Sequence, residues 1–177
     1  MMYCCFAMNG SQYEREFRGI LEAEKKILNQ VIKSCSVLEK ENYLSIQKKP
    51  FAVIRAAGSF GIDLVAVRGD ISLLIEIKTS AENTLHFSTM AGKLQQQAIT
   101  MKKTCEKTKT LPIYGFRLKK YRGDAWRIFS LPIHTLSGRL KILYRRIPLL
   151  ETSKKGNFIM RWENGMPLSQ FISYVTR

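Results

Sequence analysis

The sequence predicts an α/β fold: a mixed central sheet of about five strands flanked by helices. Three observations carry this. The first 30 or so residues after the start repeat apolar side chains at helical spacing; two short apolar runs are joined by the tight turn Arg68-Gly69-Asp70; and a second helical stretch precedes two further apolar runs.

From Ser11, the apolar residues Tyr13, Phe17, Ile20, Leu21, Ile27, Leu28, Val31 and Ile32 recur three and four apart with charges between them. This spacing predicts one long helix or two in series, ending near Glu41. Ser11 with Glu14 three residues later fits a capping box. Lys48-Lys49-Pro50 breaks the pattern, and residues 51–55 form the first extended run. Residues 58–61 read as a loop, and 62–67 and 71–79 as the two strands of a hairpin. Leu94, Ala98, Met101 and Cys105 mark an amphipathic helix over 90–107. Strands over 111–118 and 125–129 follow, separated by a basic turn at 119–123. Beyond Leu131, Pro132, Pro148 and Gly156 mark turns, residues 158–162 are strand-like, and 168–175 predict a short closing helix. No Gly/Ser-rich linker and no repeat interrupts the chain, so we expect one domain over 1–177: a tail at 1–8, a core at 9–130, and a basic extension at 131–177.

Composition narrows the class. An apolar content of 45% argues against a disordered chain. The cysteines Cys4, Cys5, Cys35 and Cys105 show no zinc-ligand spacing and read as reduced thiols. The apolar opening at 1–8 is too short to span a membrane and lacks the layout of a signal peptide, and translation could begin at Met1 or Met8. We expect no membrane partner. Charge is the unusual property: 29 Lys and Arg against 14 Asp and Glu give +15, with a pI near 9.9. Such a field attracts polyanions without naming one.

Chemistry points further. Side chains two apart on a strand share a face, so Glu76 and Lys78 project together, while Leu73, Ile75 and Ile77 project to the other side. Asp63 interrupts the preceding apolar strand in the same manner, and the hairpin brings it alongside Glu76. Two carboxylates and an ammonium at a sheet end suit a hard divalent ion, which polarises phosphates and acidifies water. A salt bridge between Glu76 and Lys78 that serves packing alone is the competing reading.

The set Gly58-Ser59, Asp63 and Glu76-Ile77-Lys78 resembles the D, E-x-K signature of the restriction-endonuclease-like nuclease superfamily. Within it the chain is most similar to the archaeal Holliday junction resolvases: Tyr13-Glu14-Arg15-Glu16 on the first helix, Arg55 ahead of Gly58-Ser59, the strand Asp124-Ala125-Trp126-Arg127-Ile128-Phe129, and Gly165-Met166-Pro167-Leu168-Ser169 all match that family's blocks. Residues 27–49 are an insertion relative to compact members, and Ile62 stands where the superfamily often has proline.

The resemblance implies that Glu14, Asp63 and Glu76 hold metal ions, magnesium with manganese as substitute, that Lys78 assists the attacking water, and that Ser59 belongs to a catalytic loop. It further implies a homodimer nicking paired strands of a four-way DNA junction, acting in the cytoplasm on the nucleoid. Arg15, Arg55, Lys119, Lys120, Arg122 and Arg127 are the expected DNA contacts. Gln96 or Gln97 could line the cleft; His86 and His134 read as loop residues.

Overall fold

The computed structural model describes residues 10–56, 61–69, 71–88 and 92–177. The expected tail at 1–8 and loop residue Ser59 lie outside them. The elements run α1 (Gly10–Leu21), α2 (Lys25–Val31), α3 (Val37–Leu44), β1 (Ala52–Arg55), β2 (Leu64–Arg68), β3 (Ile71–Ser80), β4 (Thr84–His86), α4 (Lys93–Thr108), β5 (Leu111–Leu118), β6 (Trp126–Phe129), α5 (Gly138–Tyr144), β7 (Glu151–Thr152), β8 (Phe158–Arg161), β9 (Met166–Pro167) and α6 (Leu168–Thr176).

The long helical stretch is three helices, not one or two. Ala23 adopts φ 58°, and the bonds Ala23 N to Ile20 O and Glu24 N to Gly19 O close α1 in a Schellman turn. Alanine in that conformation carries no sequence signal, which is why periodicity ran through the break. Gly19 then lets α2 fold back: a Cβ there would stand 2.8 Å from Ile27 Cγ1. A capping box does exist, at Ser36 and Glu39 ahead of α3. Ser11 instead sits inside α1, and Glu14 pairs with Arg55.

Among the described residues the main sheet has six strands, ordered β1-β2-β3-β5-β6-β9, with β3 and β5 parallel and the other pairs antiparallel. The sheet is mixed because α4 returns the chain across it before β5 begins. The strand beyond the expected five is β9, which is two residues long and so too short to read as a strand from sequence. A second sheet, ordered β4-β8-β7, covers one face of the first. Phe87 links the two layers, 5.6 Å from Tyr114 and 6.1 Å from Phe158 by ring centroid. The other face takes α1, whose Phe17 packs beside Gly115 and Ile77. No helix among the described residues is long and apolar enough to cross a membrane.

The closing segment is anchored through Asp124, only 1% exposed. Its Oδ1 accepts from Tyr43 Oη at 2.8 Å and from Trp126 N at 3.3 Å, while Oδ2 accepts from Ser169 N at 2.8 Å. One carboxylate thus caps the first turn of α6 and ties it to α3 and β6. Burial raises its pKa, and the donors from Ser169 and Tyr43 oppose that rise. Asp124→Ala leaves at least two buried donors without an acceptor and is expected to lower the free energy of unfolding by about 3 kcal/mol. Urea denaturation measures this; an unchanged midpoint would remove the anchor from the account.

Candidate active site

The strand β3 decides the site. β2 begins at Leu64, which faces Ile75, while β3 continues beside β5 to the pair Ser80 and Leu118. Past Ile75 the β2 side of the ladder needs another acceptor. Asp63 supplies it: its backbone N–H donates to Ile75 O at 2.9 Å, and its Oδ2 accepts from Ile77 N at 2.7 Å. The carboxylate is therefore fixed by the backbone of β3, next to Glu76.

Glu76 points away from α1 into the space under the second sheet and is 3% exposed. Lys78, two residues on, forms an ion pair with Glu76 Oε1. Glu76 Oε2 is buried with no hydrogen-bond partner among the described residues, as is Tyr114 Oη across the ladder. Burial pushes the Glu76 carboxyl up to about 7; Lys78 opposes this, and the neighbouring Asp63 charge adds to it. An unpartnered carboxylate oxygen beside a second, rigid carboxylate is an all-oxygen donor set that fits a hard divalent cation. Asp63 and Glu76 are the residues that would hold it.

Glu14 stands on α1, which covers the Ile77 face opposite Glu76, and its Oε2 pairs with Arg55 at 2.8 Å. Among the described residues no three acidic, histidine or cysteine side chains converge. Arg15, Lys120 and Arg122 are exposed and Lys119 is half-buried. Arg127 is occupied internally: Nη1 donates to Asp124 O at 2.8 Å and Trp126 O at 2.9 Å, and the guanidinium lies 3.6 Å from the Trp162 ring centroid.

Of the three glutamines, Gln97 packs against Gly61, two residues ahead of Asp63: a Cβ on Gly61, at φ 68°, would stand 2.7 Å from the Gln97 Cβ. Gln95 instead accepts from Phe158 N at 2.8 Å and so braces the second sheet. Sequence reasoning missed Tyr114, which only the parallel β3–β5 register sets beside Glu76. It also missed Glu16, whose Oε1 accepts from Arg117 at 2.9 Å and from Trp126 Nε1 at 2.7 Å, holding α1 to the sheet.

The raised pKa has a consequence for stability. With a folded value above the usual 4.5, the native state holds the Glu76 proton more tightly than the unfolded chain, so stability falls as pH rises between 4.5 and about 7. Glu76→Gln removes that penalty. In metal-free buffer it is expected to stabilise the protein by about 1–3 kcal/mol at pH 8, with the difference vanishing below pH 4.5. Thermal melts across that range measure it; a variant less stable at pH 8 would contradict the burial argument.

The chain was compared with known proteins. It is 42% identical over 53 residues to the crossover junction endodeoxyribonuclease Hjc of Methanocaldococcus jannaschii, an alignment covering 30% of this chain and 40% of that relative. It thus spans about two fifths of the relative's length. Against solved structures, the chain is similar to Archaeoglobus fulgidus Hjc, described as a Holliday junction resolvase, with TM-score 0.48 and 21% identity over 76% of this chain and 92% of that one. The model of the family described as archaeal Holliday junction resolvase (hjc) matches residues 31–177, leaving α1 and Glu14 outside but taking in Asp63, Glu76, Lys78 and the whole closing segment. With that match extending over most of its length, the chain belongs to the archaeal Holliday junction resolvase family.

Proposed function

We propose that the chain is a magnesium-dependent endodeoxyribonuclease that resolves four-way DNA junctions. The observation that carries this reading is the meeting of Asp63, Glu76 and Lys78 on one sheet face, with one Glu76 oxygen buried and unpartnered, in a chain of this family. A divalent ion bound there supplies Lewis acidity to the scissile phosphate and acidifies a water. Manganese suits the same oxygen donors.

The protein's own groups do the rest. Asp63 is immobilised by the Ile77 N–H, so its orientation costs nothing at the moment of binding. Lys78 fixes one Glu76 oxygen and leaves the other available; its ammonium then lies where an attacking water or developing oxyanion needs a positive neighbour. Ser59 is proposed to belong to the loop leading into Asp63. Arg55 is exposed enough to exchange Glu14 for a DNA phosphate. Glu14 is proposed as a further metal-holding carboxylate on the family's pattern alone. Arg15, Lys119, Lys120 and Arg122, with Arg127 behind them, are proposed to face the DNA backbone. The sixteen basic and three acidic residues between 102 and 161 make binding steeply salt-dependent.

Two symmetric nicks need two sites, so a twofold homodimer is the natural assembly, and the substrate places it in the cytoplasm on the nucleoid. Residues 131–177 are read as part of the same domain, since β9 completes the main sheet and α6 is capped from Asp124.

A cleavage assay on synthetic four-way junctions tests the proposal. The natural chain is expected to cut junctions with magnesium and not with chelator, while Asp63→Ala and Lys78→Ala slow cutting by about 100-fold or more. Intact junctions with the natural chain would sink the reading. Equal cutting of linear duplex would move the substrate from branched DNA to duplex DNA in general.

A further inference from the structure

The turn joining β5 to β6 is fastened to the end of β3: Lys119 N–H donates to Ser80 O at 2.8 Å, two residues past Lys78. Tyr121 lies in this turn. It is 44% exposed and is the one exposed Phe, Tyr or Trp among the described residues. Its ring rests on Trp162, with centroids 4.4 Å apart and planes at 49°. Trp162 is itself held, its indole N–H donating to Ala125 O at 3.0 Å and Arg127 packing over its ring. An exposed tyrosine with so rigid a backing loses little freedom on contact with a ligand.

The register places this stack. Lys78 lies opposite Phe116, and Phe116 opposite Arg127, so all three side chains emerge on the same face of the sheet. Arg127 and the Trp162 ring beneath it therefore stand on the face that carries Glu76 and Lys78, about 10 Å away across two strand spacings. Tyr121 lies beyond Trp162 at the end of the sheet, where it also lines the cavity bounded by Glu16, Arg117 and Trp126. Lys120 and Arg122, both exposed, flank Tyr121. An open aromatic ring between two cations suits a nucleobase with its adjoining phosphates.

We propose that Tyr121 stacks on an unstacked base at the branch point of the DNA, with Lys120 and Arg122 on the flanking phosphates. The inference rests on the junction-cleaving reading and deepens it. The interior of a continuous duplex offers no free base face, whereas a branch point does, so Tyr121 is a specificity-determining residue that separates branched from linear DNA.

The test is binding, which needs no cleavage. Four-way junctions carrying 2-aminopurine at the branch point are titrated in metal-free buffer with the natural chain, Tyr121→Phe, Tyr121→Leu and Tyr121→Ala, alongside linear duplex. The natural chain and Tyr121→Phe are expected to change the 2-aminopurine fluorescence alike. Tyr121→Leu and Tyr121→Ala are expected to lose that signal and about tenfold of the affinity for junctions, with duplex affinity unchanged. The leucine variant keeps apolar packing on Trp162 but has no π face, so wild-type behaviour from it would overturn the proposal. So would an unaltered signal in the alanine variant, or a phenylalanine variant as weak as alanine. A natural chain that fails to cut junctions while Tyr121→Ala still loses junction affinity would overturn the nuclease reading and leave the stacking role standing.

Discussion

One hydrogen bond, from the Ile77 N–H to the Asp63 carboxylate, governs the chemistry of this fold. The strand β2 parts from β3 before β3 is finished, and a strand edge left inside a protein has donors to satisfy. Here a side chain takes the place of the missing strand. The same bond that completes the ladder fixes an acid at the point where the sheet opens, against the one residue of β3 whose carboxylate is buried. Structure and chemistry are thus not separable at Asp63.

The arrangement is costly, and the surrounding architecture offsets that cost. A carboxyl pushed up to about 7 by burial opposes folding at neutral pH. Around it the layers are closed by large aromatic contacts, Phe87 against both Tyr114 and Phe158, and by the Phe17–Trp126 pair at 4.9 Å on the other face. A second buried acid, Asp124, plays the opposite part: fully engaged by donors, it binds the inserted helix α3 and the closing helix α6 to the sheet. One buried carboxylate is left short of partners and the other is saturated, which is the difference between a group available to a ligand and one committed to the fold.

The positive charge divides in the same way. Arg117 is engaged by Glu16 and lies over Tyr13, Arg161 is paired with Glu151, and Arg127 is held by two carbonyls and an indole. These cations stiffen the molecule. Lys120 and Arg122 on the β5–β6 turn project into solvent, as do Lys141, Arg145, Arg146, Lys154 and Lys155, so the field available to a polyanion is carried by cations outside these internal pairs.

The sequence by itself determined the features that repeat locally. Alternation along residues 71–80 set Glu76 and Lys78 on one face, the turn at Arg68-Gly69 brought Asp63 beside them, and the spacing of Leu94, Ala98, Met101 and Cys105 marked α4. Tertiary structure decided what depends on residues meeting after long excursions of the chain. The break at Ala23 exists because α2 folds onto Gly19; the strands β4, β7 and β9 are two or three residues long and are stabilised by partners rather than by their own pattern; Glu14 found Arg55; and Tyr121 found Trp162. Side-chain periodicity encodes which way a residue faces, because backbone geometry repeats every two or 3.6 residues. It carries no record of what stands opposite, since that is fixed only when the whole chain closes on its core.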